Sequence, residues 1–198
     1  MMRKLKITEM GRMNADEFKA SEKMPLVVVL DNVRSMYNVG SVFRTADAFR
    51  VDSIYLCGIT ACPPHQEIHK TALGAEDTVE WKHSSSALEA VLHLKTAGYK
   101  IFSIEQCEGS TKLQDLHSVL KSINSEASSL LQYQSSKLQY AIVLGNEVKG
   151  VGQEVVNASD YCLEIPQFGT KHSLNVSTAA GMVIWEFAKL LLAADCEL

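Results

Sequence analysis

No uninterrupted apolar run in this chain approaches the ~20 residues that a membrane-spanning helix needs. The opening Met1-Met2-Arg3-Lys4-Leu5-Lys6 is followed by polar sequence where a secretion signal would place its apolar stretch. A soluble, cytoplasmic protein is the expectation. Cysteine is sparse and unpatterned: Cys57, Cys62, Cys107, Cys162 and Cys196 are odd in number and contain no C-x-x-C pair. That argues against a disulfide framework or a zinc cluster and predicts buried, reduced thiols. His65, His69, His83, His93, His117 and His172 form no metal-binding set either, so no metal is expected. A basic footprint is also missing, because the formal net charge is −4, which argues against nonspecific nucleic-acid binding. The chain has no G-x-G-x-x-G after its first apolar run, and Gly145 to Gly152 lacks the Gly-Lys-Ser/Thr ending of a P-loop. Neither a dinucleotide enzyme nor an NTPase is favoured.

What is present is the balance of a globular domain: 198 residues, 46% hydrophobic and 21% charged, enough for one sizeable core. Short β-branched apolar runs at Leu26 to Asp31, Ser53 to Cys57, Lys100 to Glu105, Tyr140 to Gly145 and Tyr161 to Ile165 predict strands, with a shorter one at Thr78 to Trp81. They alternate with helical patterns. The fold class is therefore α/β, a mainly parallel sheet with helices on both faces. Asn38 reads as the N-cap of a helix burying Val39, Val42, Phe43 and Ala46, with Arg44 at its edge. Ala87 to Ala97 reads as a second helix ended by Gly98, and Val176 to Leu191 carries a long apolar stripe. Residues 1–24 read as an N-terminal arm outside the sheet, leaving 25–198 as the main domain. From Glu108 to Lys137 the chain is rich in Ser, Gln and Lys, with a weak helical signal around Leu113 to Ile123, and predicts a surface excursion with a mobile part.

Three polar segments follow strands or strand ends, where α/β sheets bind ligands. The first is Asn38-Val39-Gly40-Ser41-Val42-Phe43-Arg44-Thr45-Ala46 and the second is Leu144-Gly145-Asn146-Glu147-Val148-Lys149-Gly150. The third runs from Ile165-Pro166-Gln167-Phe168-Gly169 through Thr170-Lys171-His172 to Ser173-Leu174-Asn175-Val176-Ser177-Thr178-Ala179-Ala180. Taken singly, each has a plain structural reading: glycines permit a tight turn, Ser173 and Asn175 can cap a helix, and a lone arginine usually faces solvent. Taken in this order, they resemble the three signature motifs of the SpoU/TrmH family of RNA ribose 2′-O-methyltransferases, within the knotted methyltransferase superfamily. Lys70-Thr71-Ala72-Leu73-Gly74-Ala75 also looks like family sequence, and the resemblance runs from about Leu26 to Leu191.

The resemblance implies a C-terminal trefoil knot, a homodimer with the first-motif and last helices at its interface, and S-adenosyl-L-methionine as cofactor. It implies cofactor contacts at Glu105, Gly145, Asn146, Ile165, Ser173 and Leu174, and catalytic roles for Arg44, Asn38, Glu147, Ser173 and Asn175. Arg44 matches the arginine that activates the hydroxyl, as a base or as an electrostatic stabiliser; guanidinium, with a pKa above ~12, fits the second role better. Departures are modest, such as Gln167 after Pro166 where members often carry Met. RNA is the implied partner, with transfer RNA favoured over ribosomal RNA because the chain leaves little room for a separate RNA-binding domain. Arg3, Lys4, Lys6, Arg12, Arg34, Lys70 and Lys171 are candidates for phosphate contact. Two alternatives stay open: a catalytically silent RNA-binding module on the same fold, and a flavodoxin-like small-molecule binder.

Overall fold

The computed structural model describes residues 2–130 and 138–192. Seven parallel strands form one sheet in the order β3-β2-β1-β6-β4-β7-β5. They are β1 (Met24–Asp31), β2 (Val51–Cys57), β3 (Glu80–Ser84), β4 (Lys100–Ile104), β5 (Thr111–Lys112), β6 (Tyr140–Leu144) and β7 (Tyr161–Glu164). The helices are α1 (Ala15–Ala20), α2 (Met36–Ala48), α3 (Gln66–Ala72), α4 (Ala87–Thr96), α5 (Leu116–Leu130), α6 (Gln153–Ala158) and α7 (Val176–Leu191).

Strand β1 explains the layering. Leu26, Val28 and Leu30 join a core with apolar residues of α2, α3, α5 and α7, while Val27 and Val29 join a second core with α4 and Val155 of α6. Side chains alternate across a strand, so a continuous apolar run is stable only with both faces covered. Each such fully buried Val or Leu contributes roughly 1.5–3 kcal/mol relative to exposure. Helices on both faces are thus observed. The late strand β6 inserts between β1 and β4, which places the ends of β4, β6 and β7 around one region.

Several expectations need correction. Helix α2 starts at Met36, and its N-cap is Ser35, whose side chain accepts the Asn38 N–H; Asn38 lies inside the first turn. The short third strand runs Glu80–Ser84, paired from Ser53↔Glu80 to Cys57↔Ser84, not Thr78 to Trp81. Thr78 is held instead by Asp47 and the Ala75 carbonyl at a turn. The Glu108 to Lys137 excursion is more built than its composition suggests: Thr111–Lys112 pairs with β7, Lys112 meets Glu164 at 2.5 Å, and Leu116, Leu120 and Ile123 bury one side of α5. Those three recur at helical spacing, and polar residues between them dilute the signal. Residues 131–137 of that stretch lie outside the described residues, as does Cys196. Cys57 is buried, but Cys62, Cys107 and Cys162 are only half-buried. Residues 2–23 lie outside the sheet, with Phe18 of α1 tucked against the core, while Met24, expected to belong to the arm, opens β1.

Candidate active site

Beyond the carboxyl ends of β4, β6 and β7 lies a cavity of about 320 Å³, a size at the lower end for small-molecule sites. Leu144 ends β6, and Gly145 must follow closely: a Cβ there would sit 2.0 Å from the Gly150 carbonyl carbon and 2.1 Å from the Val151 nitrogen. The loop folds back on itself through paired bonds between Asn146 and Gly150, of 3.0 and 2.8 Å. Gly150 has φ +68, and a side chain there would also strike the Glu105 carboxylate. Asn146 fixes the loop further, accepting the N–H groups of Val148 and Lys149 on Oδ1 and donating Nδ2 to the Asn32 carbonyl at 2.7 Å. Glu105, at the end of β4, accepts the N–H groups of Val151 and Gln106, both at 2.9 Å, and its oxygens retain lone pairs for another donor.

The three motifs meet in one polar chain. Glu147 accepts the backbone N–H groups of Arg34 and Ser35, each at 3.1 Å, and the Asn38 side-chain amide at 3.2 Å. Asn38 in turn accepts the Asn175 amide at 3.0 Å. Asn175 accepts the N–H groups of Ser177 and Thr178, capping α7. Residues 109 and 137 positions apart in sequence are thus held within one hydrogen-bonded run. Burial pushes the Glu147 carboxyl up, but donation from Arg34, its own N–H, Ser35 and Asn38 outweighs this and holds it below the usual carboxylate range.

That shift has a signed consequence. A carboxylate with a depressed folded-state pKa contributes stability above its unfolded pKa and loses it as pH falls through the folded value. Glu147→Gln is therefore expected to be less stable than wild type at neutral pH, with the difference shrinking once the pH drops below about 4.5. Urea unfolding of both proteins across that range checks it; a difference independent of pH would exclude the charged clasp.

Glu105, Gly145, Asn146, Glu147, Ile165, Ser173 and Leu174 all line the cavity. Asn38 and Asn175 lie in the adjoining polar chain. Arg44 does not join them: it is exposed on α2, about 9 Å along the axis from Asn38 at 1.5 Å per residue, and hydrogen-bonds to none of the described residues. Ser173 Oγ likewise has no hydrogen bond to the described residues. His172 is exposed and also part of the lining, and its carbonyl accepts the Gln106 side-chain amide at 3.1 Å. Among the phosphate candidates, Arg3 is paired with Glu9 at 3.0 Å.

Some contributors were missed. Gln106 and Gln167 line the cavity, and nothing in their residue type signals it. Asn32, with φ +55, turns the chain after β1 and offers its carbonyl to Asn146, while buried Asp31 accepts the Gly152 N–H at 3.2 Å. An Asp-Asn pair closing a strand was the available signal, since Asn tolerates the left-handed region.

Comparison with known proteins bears on the family and the fold. A protein of Staphylococcus saprophyticus, provisionally named a TrmH family tRNA/rRNA methyltransferase, is 27% identical over 168 residues, covering 85% of this chain and 60% of its own length. The chain thus spans less than two thirds of that relative. The A. aeolicus TrmH/SpoU tRNA modifying enzyme superposes with a TM-score of 0.73 at 22% identity, over 91% of this chain and 82% of its own. The AdoMet-bound rRNA methyltransferase from Sinorhizobium meliloti gives 0.67 at 23% identity, over 88% and 59%. At these identities the two structures establish the fold. The SpoU rRNA Methylase family profile matches residues 25–185, spanning all three motifs and the cavity they enclose, and the chain belongs to that family.

Proposed function

We propose that this chain is an S-adenosylmethionine-dependent RNA methyltransferase acting on a ribose 2′-hydroxyl, with transfer RNA as substrate. The polar chain Glu147–Asn38–Asn175 carries the reading, because it gathers the side chains of all three motifs beside one cavity. The cavity lining suits the cofactor: Leu144 and Val176 offer an apolar wall for adenine, and the Glu105 oxygens keep lone pairs for a hydroxyl donor. Glu105, Gly145, Asn146, Ile165, Ser173 and Leu174 would hold it. When bound, S-adenosylmethionine supplies the electrophilic methyl group. Its bound form in the S. meliloti neighbour supports the same occupant here.

The chain's own residues divide the remaining work. Ser173 Oγ is available to orient the ribose, and Glu147 with Asn38 fixes the start of α2. Arg44 stabilises the alkoxide that develops as the hydroxyl loses its proton, a task its permanent charge suits better than proton removal, which falls to an RNA phosphate. Arg44 stands away from its own cavity, so this role places it beside the cavity of another copy. The homodimer joins the α2 and α7 faces, where Tyr37, Met182 and Trp185 remain 45%, 42% and 49% exposed. In this reading the segment from β7 through Asn175 threads the trefoil knot, and the protein is cytoplasmic. No helix among the described residues is long and apolar enough to cross a membrane.

Transfer RNA is supported by the likeness to the A. aeolicus tRNA modifying enzyme; the S. meliloti likeness keeps ribosomal RNA as the second reading. Calorimetry with S-adenosylhomocysteine tests the cavity, and absence of binding sinks it. Mass-spectrometric mapping of methylated nucleotides with and without the protein tests the rest. A 2′-O-methyl mark lost from transfer RNA is the expected result. Loss only from ribosomal RNA, or of a base methyl, overturns the assignment.

A further inference from the structure

Two cysteines meet behind the cavity wall. Cys162 stands on β7, opposite Ser103 of β4, and Cys107 lies in the turn after β4, two residues beyond Glu105. Cys162 Sγ lies 2.9 Å from Cys107 Sγ, towards which it donates, and 3.3 Å from the Glu105 carbonyl. A disulfide has sulfurs about 2.05 Å apart, so closure asks for less than ~1 Å of further approach. Both thiols are half-buried, close enough to the surface for a small reagent to reach.

The position matters for what surrounds it. Gln106, directly before Cys107, lines the cavity and ties its wall to the third-motif loop through the His172 carbonyl at 3.1 Å. Glu105 holds the second-motif loop through the Val151 N–H. On the other side, β7 leads from Cys162 to Ile165 and Gln167, which are also lining. Drawing the two sulfurs together moves the segment that carries these contacts.

We propose that Cys107 and Cys162 are a thiol–disulfide site, closed by a small-molecule disulfide such as oxidised glutathione, and that closure weakens ligand binding in the adjoining cavity. The second half rests on the cofactor reading above. In the first step the Cys107 thiolate attacks the small disulfide, forming a mixed disulfide and releasing one small thiolate. In the second, Cys162 gives its proton to water and attacks Cys107 Sγ, forming the internal bond and releasing the other. Two protein S–H bonds are lost, one S–S bond forms and one breaks, and the two electrons and two protons end on two small thiols. Burial, with the hydrogen bond to Cys107, pushes the Cys162 thiol up to about 12, so its attack is the slow step of closure and is faster in alkali.

The test uses the full chain equilibrated in glutathione buffers of graded thiol to disulfide ratio, then alkylated and mapped by peptide mass. A cross-linked Cys107–Cys162 peptide is expected. S-adenosylhomocysteine affinity is expected to fall about two- to tenfold on oxidation, the worth of one lost hydrogen bond, and to return with added thiol. Cys107→Ser and Cys162→Ser should both bind equally well in either buffer. Cysteines that only become glutathionylated overturn the site. A cross-link without an affinity change, or the same change in either serine variant, overturns the coupling. Reduced protein that binds no S-adenosylhomocysteine removes the cofactor reading and the coupling together, while the peptide map still decides the disulfide alone.

Discussion

Replacing Arg44 with alanine is expected to abolish methyl transfer to RNA while leaving S-adenosylhomocysteine affinity within a few-fold. The unchanged affinity follows from where the side chain stands, and the loss of turnover from the role proposed for it above. Arg44 is exposed on α2, does not line the cavity and makes no bond to the described residues of the Glu147–Asn38–Asn175 chain. Its removal therefore leaves the lining intact. Loss of one donor aimed at a developing oxyanion costs roughly 100- to 1000-fold in turnover. Arg44→Lys keeps the charge but loses the planar fork, so it should recover only part of the rate. Single-turnover kinetics with isotopically labelled S-adenosylmethionine, beside calorimetry, separates the two quantities. Near-normal turnover in Arg44→Ala would remove the residue from the mechanism. A matching fall in affinity would make it a structural residue.

The sequence carried the sheet better than its order. Apolar runs such as Leu26 to Leu30 announce a strand buried on both faces, and the observed strands differ from those runs mainly at their ends. Strand order depends on pairings far apart in sequence, so the insertion of β6 between β1 and β4 leaves no local trace. The cap of α2 was misread for a related reason. Ser35 and Asn38 are both good caps, and what decides is that Glu147 and Asn175 claim the Asn38 side chain for a tertiary network. All six expected cofactor contacts line the cavity: Glu105, Gly145, Asn146 and Ile165 directly follow strands that the sheet draws together, and Ser173 and Leu174 sit just before α7. The role proposed for Arg44 rests on resemblance alone; nothing in its helix spacing separates a catalytic arginine from a solvated one. The Cys107–Cys162 contact spans 55 residues and follows from β4–β7 pairing, so no cysteine spacing could announce it.

Alanine at Gly145 is expected to eliminate S-adenosylhomocysteine binding. The added Cβ meets backbone on every near side, 2.0 Å from the Gly150 carbon, 2.1 Å from the Val151 nitrogen and 2.3 Å from the Gly150 oxygen, none of which can swing aside as a side chain would. Relief requires opening the Asn146–Gly150 pair, which shapes the cavity wall. Overpacking of this kind costs about 1–3 kcal/mol, and for a chain of this size that lowers the melting temperature by roughly 2–12 °C, so the variant should still fold. A variant of this kind also makes the dimer proposal decidable. Arg44→Ala and Gly145→Ala are each expected to be inactive alone, one for want of the guanidinium and the other for want of the cofactor. If Arg44 serves the cavity of the other subunit, a mixed dimer holds one complete site: the intact cavity of the Arg44→Ala subunit facing the intact arginine of the Gly145→Ala subunit. Random reassortment makes half the dimers mixed with one of two sites working, so activity should return to about a quarter of wild type. Size-exclusion chromatography establishes beforehand that both variants dimerise. No recovery from such a mixture would place Arg44 at its own cavity, and a fully active wild-type monomer would remove the dimer from the mechanism.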